Sequence, residues 1–130
     1  MMKKRSILYL VIIVMLVLNG CTRGSQITVM SKEHNTSTMM SMTYKRFSGY
    51  KETNVTVKEG ELVKIDVNIV TKDGTISAYI AKDDDKTDCS YEGNDIQTST
   101  FTITLSDPGK YTIRVDAKNH SGGYEFSWEK

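Results

Sequence analysis

Five stretches of this chain alternate apolar and polar residues with a period of two, and that pattern suits strands far better than helices. Val63, Ile65, Val67 and Ile69 alternate with Lys64, Asp66 and Asn68; Ile76, Ala78 and Ile80 alternate with Ser77 and Tyr79. Phe101, Ile103 and Leu105 do the same against Thr102 and Thr104, and Tyr111, Ile113, Val115 and Ala117 against Thr112, Arg114 and Asp116. Tyr124, Phe126 and Trp128 alternate with Glu125 and Ser127, and the segments 40–44 and 54–57 follow more weakly. Successive strand side chains point to opposite faces, so each segment buries one face and wets the other. Beyond residue 20 there are only two Leu (Leu62, Leu105) and three Ala, against many Thr, Val, Ile and Tyr. That composition favours pleated surfaces over helices.

Turn residues punctuate the alternation. Glu59-Gly60, Lys72-Asp73-Gly74, Asp107-Pro108-Gly109 and Ser121-Gly122-Gly123 each fall between two alternating runs. They predict short antiparallel connections, with Asp73-Gly74 as a two-residue hairpin turn. Strands apolar on one face need a second sheet to cover them. The expected fold is all-β: a single antiparallel β-sandwich, jelly-roll-like or Ig-like, of seven or eight strands over residues 39–130.

The N-terminus has a different character. Lys3-Lys4-Arg5 precedes an apolar run from Ile7 to Leu18. Twelve residues make a helix of about 18 Å, short of the ~30 Å hydrocarbon core. That length fits the apolar region of a secretory signal. The run ends in Leu18-Asn19-Gly20-Cys21, which resembles the lipobox of bacterial lipoproteins, with Asn19 where Ala or Ser is commoner. The resemblance implies signal-peptidase recognition through Leu18, Asn19 and Gly20, cleavage before Cys21, and a diacylglyceryl group (often with a further palmitate-type acyl chain) on Cys21. The alternative is an uncleaved anchor helix with an incidental cysteine. Two or three acyl chains hold a soluble domain stably, at ~0.8 kcal/mol per buried CH₂. The expected organisation is therefore a signal peptide over 1–20, a lipidated Cys and polar tether over 21–38, and the sandwich over 39–130. The expected location is the extracytoplasmic face of the bacterial cell membrane, with acyl chains on Cys21 as the membrane contact. Seventeen flexible residues, 22–38, would reach roughly 20–25 Å, although Ile27-Thr28-Val29 could pair as a first short strand.

Charge and cysteine content narrow the function. All 16 acidic groups lie beyond residue 20, with 14 of the 17 basic ones, so no nucleic-acid partner is expected. With Cys21 modified, Cys89 has no second thiol in the chain to pair with. Its neighbour Asp88 disfavours a reactive thiolate, and a buried thiol is the expectation.

Motifs that carry catalysis are missing: there is no GxSxG, Walker loop, HExxH or CxxC. His34 and His120 fall in the tether and in a predicted turn, where surface positions are expected. An enzyme is not expected. The loop Lys82–Asp88 carries Asp83, Asp85 and Asp88, oxygen donors that could serve Ca²⁺; no other cofactor is expected. A solvated loop with two offsetting lysines is the favoured reading. Tyr124, Phe126 and Trp128 could stack sugar rings, but their alternation first signals core. Tyr79 and Tyr91 are the better ligand-facing aromatics if they point outward.

The run Leu105-Ser106-Asp107-Pro108-Gly109-Lys110-Tyr111-Thr112-Ile113-Arg114-Val115, continuing through Ala117, His120-Ser121-Gly122 and Tyr124–Trp128, resembles the closing hairpin of small secreted β-sandwich modules of the pre-peptidase C-terminal type. That resemblance implies a noncatalytic accessory or binding module. The leading expectation is a lipid-anchored envelope protein displaying a binding module for a protein or glycan. A structural or immunity/inhibitor-type lipoprotein, and an accessory subunit of an exported hydrolase or transporter, are the alternatives.

Overall fold

The computed structural model describes residues 22–83, 85 and 87–129, all of them strand, turn or loop. The signal peptide and the lipobox residues Leu18, Asn19, Gly20 and Cys21 lie outside the described residues. Among the described residues seven strands run in order: β1 (Thr22–Val29), β2 (Lys32–Thr36), β3 (Met39–Val57), β4 (Val63–Lys82), β5 (Cys89–Gly93), β6 (Ser99–Leu105) and β7 (Gly109–Glu129). All pairings are antiparallel.

Three strands do most of the building. β3, β4 and β7 are 19, 20 and 21 residues long, and β7 pairs with both others along almost its whole length. Each bends at the same level. The register breaks between Tyr44 and Gly49 in β3 and between Thr71 and Thr75 in β4. One half-sheet thus runs β2, β3 (39–44), β7 (122–129), β4 (63–71), β6; the other runs β1, β3 (46–57), β7 (109–117), β4 (75–82), β5. The halves fold over one another as a sandwich with a bent corner at one end and open turns at the other. Tyr91 of β5 and Phe101 of β6, on opposite halves, meet with ring centroids 5.2 Å apart.

The alternating residues fill the space between. Val63, Ile65, Val67, Ile69, Ile76, Ile80, Ile113, Val115 and Phe126 are wholly buried in one cluster, joined by Met40, Met42 and Phe47. Tyr124 and Trp128 belong to the same cluster, so the aromatic strand is core and not a sugar platform. The all-β antiparallel fold read from the sequence is the fold observed.

Two expectations need correction. Lys72-Asp73-Gly74 and Ser121-Gly122-Gly123 do not connect separate strands; they are the bends inside β4 and β7. Gly74 (φ 73°) and Gly122 (φ 134°) supply left-handed backbone there, and close approach excludes a side chain. A Cβ on Gly74 would lie 2.0 Å from the Asn119 carbonyl oxygen, and one on Gly122 1.9 Å from that of Val70. A bulge and a hairpin turn share the same left-handed requirement, so local sequence does not distinguish them.

The second correction concerns the tether. Residues 22–29 pair with 46–53, and 32–36 pair with 39–43, so most of the expected tether is strand. β1 and β2 are edge strands held by backbone hydrogen bonds, which need no apolar alternation. The Ile27–Val29 strand anticipated from the sequence is the end of β1.

Candidate functional site

At the bent corner, four residues from three long strands and one loop form a buried polar chain. His120 of β7 is wholly enclosed. Its Nδ1 lies 2.5 Å from the Tyr44 hydroxyl and its Nε2 2.9 Å from Thr71 Oγ1. The Thr71 hydroxyl donates to the Ile96 carbonyl at 2.7 Å. That hydroxyl has one hydrogen, already used, so it must accept from Nε2–H. The network therefore assigns a neutral imidazole protonated on Nε2, with Nδ1 accepting from Tyr44. Burial pushes the His120 pKa down and the Tyr44 phenol up. The sequence placed His120 on a surface turn; the bend turns it inward. With both ring nitrogens engaged and no solvent contact, it cannot serve a substrate. His34 is exposed on β2.

The outer face of the first half-sheet carries a groove of about 480 Å³ beside this corner. Pairing lays its floor in rows across β3, β7 and β4. One row is Ser41, Glu125 and Asn68; the next is Thr43, Gly123 and Val70. The missing side chain at Gly123 opens the cleft, and a Cβ there would lie 2.8 Å from the Met42 carbonyl oxygen. Lys72 stands at the corner end, and exposed Met30 and Val70 give the groove apolar edges. A carboxylate, an amide, two hydroxyls and an ammonium thus surround a volume of small-ligand size. The alternation put these side chains outward, but only the three-strand register shows that they share a groove.

The outer face of the other half presents a different surface. Tyr79 of β4 lies across from Arg114 of β7, which lies across from Glu52 of β3. The Arg114 guanidinium sits 4.1 Å from the Tyr50 ring centroid and donates from Nε and Nη2 to Asp116, each at 3.0 Å. Asp116 holds Arg114 more firmly protonated. Tyr79 therefore faces outward, as the alternation implied. Tyr91 does not: it is half-buried against Phe101 and the core, because β5 turns that face toward β6.

The acidic loop is open and largely self-satisfied. Asp83, Asp85 and Asp88 are exposed. The Asp85 carboxylate accepts from the Thr87 amide (3.0 Å) and hydroxyl (2.6 Å), which lowers its pKa. Among the described residues no group of three or more His, Cys, Asp or Glu side chains is placed to hold a metal ion. Cys89, half-buried at the start of β5, has its thiol pKa raised by burial and then by Glu92, Asp85 and Asp88. It is less enclosed than expected, and its thiolate is disfavoured as expected.

No protein-family model and no characterised protein matches this sequence. Solved structures of similar shape include the pre-peptidase C-terminal domain of a collagenase from Bacillus anthracis, 14% identical over 82% of this chain and 89% of that one, TM-score 0.45. A second is the carbohydrate-binding module TmCBM61 in complex with β-1,4-galactotriose, 14% identical over 84% and 88%, TM-score 0.47. A third is a family 35 carbohydrate-binding module from Clostridium thermocellum, 13% identical over 82% and 94%, TM-score 0.40. Likeness at this level carries no functional argument, so function must be argued from this chain's own surfaces.

Proposed function

We propose that this protein is a lipid-anchored, extracytoplasmic envelope protein whose β-sandwich is a noncatalytic glycan-binding module. One observation carries the glycan reading: the groove over Gly123, where Ser41, Glu125 and Asn68 form a row of hydrogen-bonding groups beside the apolar Val70 and Met30. Saccharides offer the same mixture of hydroxyls and apolar C–H faces. The anchor rests on the Leu18–Cys21 lipobox resemblance and the basic-then-apolar leader before it. A glycan array probed with the protein, followed by titration of any hit against Glu125→Ala and Asn68→Ala, tests the site. Loss of at least tenfold in affinity in both variants supports it; binding unchanged in both would reject it.

A protein partner is the second reading, favoured by Tyr50, Arg114 and Tyr79 on the opposite face. Tyr and Arg are the residue types that dominate protein–protein hot spots. A pull-down from envelope extract that is lost with Arg114→Ala and kept with Glu125→Ala would move the function to that face.

A further inference from the structure

We propose that the sandwich stands directly on the lipid surface, with its open end against the bilayer and its bent corner outward. The inference rests on the lipid-anchored reading above and gives that anchor a geometry. Cys21 is bonded to Thr22, and Thr22 is the first residue of β1, paired with Thr53 of β3. No flexible residues separate the lipidated position from the sheet, where a tether of some 20 Å was expected.

β1 fixes the direction. It runs from Thr22 to Val29, whose partner Arg46 lies at the corner. Seven steps along a strand cover about 23 Å, so the chain enters the sheet well away from the corner, on its open side, four residues of β3 (Thr53 to Val57) short of that end. That open end carries the β3–β4 turn, Lys58–Leu62, and the β6–β7 turn at Asp107-Pro108. Leu62 is 63% exposed, a large apolar side chain in the turn that leaves β3, the neighbour of β1. An acyl chain at Cys21 keeps this turn at the interface at high effective concentration, so one leucine suffices for contact.

Charge does not drive the arrangement. Lys58, Lys64 and Lys110 are exposed near this end, but Glu59, Glu61, Asp107 and the exposed Asp83, Asp85 and Asp88 stand there too, with the Asp83 N–H donating to the Lys110 carbonyl at 2.8 Å. The end is therefore net acidic and suits a lipid surface without net charge. The Asp83–Asp88 loop leaves β4, two strands beyond β3 from β1 in the β1-β3-β7-β4-β5 order, so an anionic surface would press the β1 edge down and lift the acidic edge. The groove lined by Met30, Lys72 and Gly122 then opens at the outward end, where it meets solvent and partners.

The test uses the full lipidated chain in phosphatidylcholine vesicles with brominated acyl chains, which quench tryptophan on contact. Leu62→Trp and Lys72→Trp report the two ends, each over the same native Trp128. Both sites are exposed, and matched melting temperatures confirm folding. The expected result is a fractional emission loss at least twofold greater for Leu62→Trp than for Lys72→Trp. Equal losses, or a greater loss at position 72, on protein whose intact mass shows the lipid would overturn the orientation and leave the anchor standing. An intact mass without lipid would overturn the anchor and the orientation together.

Discussion

Tyr44 and His120, 76 residues apart in sequence, share a 2.5 Å hydrogen bond inside the sandwich corner. The bond joins β3 to β7 where both strands change half-sheet, and Thr71 extends it to β4 and to the Ile96 carbonyl. Three bends are thereby held together by one neutral, fully used chain of donors and acceptors.

Removing the phenolic donor should be costly because its partner has nowhere else to turn. Tyr44→Phe leaves His120 Nδ1 buried without a hydrogen bond, at about 1–3 kcal/mol. Urea denaturation followed by circular dichroism should show that loss as a lower midpoint with an unchanged slope. A midpoint within error of the parent would mean the bond contributes nothing net.

The same chain makes stability depend on pH. The unfolded imidazole takes its proton near ~6.5. In the folded protein burial lowers that value, so the proton goes on only at more acidic pH. Between the two, the unfolded state binds more protons, and stability falls as pH drops below about 6.5, by at most ~1.4 kcal/mol per pH unit. The contribution is complete above the unfolded value and is gone once pH falls through the folded one. Melting temperatures between pH 7.5 and 5 should decline, and His120→Gln should flatten that decline; a slope equal in both proteins would assign it to other groups.

What the sequence showed and what it hid divide along physical lines. Val63, Ile65, Val67 and Ile69 announce their strand because burial on one face leaves a local, period-two mark. Tyr79 was readable for the same reason. His120 was not, since its burial comes from three strands bending at one level, and its neighbours Asn119, Ser121 and Gly122 read as turn residues. β1 and β2 left little trace because an edge strand is held chiefly by its backbone. The groove was hidden for a related reason: Ser41, Asn68 and Glu125 become one row only through the β3–β7–β4 register.

Two glycines with left-handed backbone should respond very differently to alanine. At Gly60 (φ 79°) nothing lies within 4 Å of an added Cβ, so Gly60→Ala meets only conformational strain, about 1–2 kcal/mol. At Gly122 (φ 134°) the Cβ would sit 1.9 Å from the Val70 carbonyl oxygen, and the β4–β7 pairing must separate. Gly122→Ala should therefore cost at least twice as much or prevent folding, as read by thermal melts of both variants. Similar losses would show that the bend yields more readily than its geometry implies.

The Glu33–Lys51 ion pair should reveal its role through asymmetry. Glu33 Oε2 of β2 and Lys51 Nζ of β3 lie 2.9 Å apart, linking the two half-sheets at their shared edge. The lysine side chain is only 11% exposed, against 32% for the glutamate. Glu33→Gln leaves a nearly buried ammonium without its counter-charge, at about 1–3 kcal/mol, below the 3–5 typical of a fully buried pair because water reaches the glutamate side. Lys51→Met removes the charge that needed compensation, fills the same space with an apolar chain, and leaves the carboxylate free to turn to solvent. Its stability should lie within about 1 kcal/mol of the parent or above it. Chemical denaturation of the two variants measures the difference directly. Equal losses would mean that the attraction itself stabilises the edge; unequal ones, with glutamate removal the worse, would mean that the pair chiefly neutralises a lysine which the fold has already enclosed.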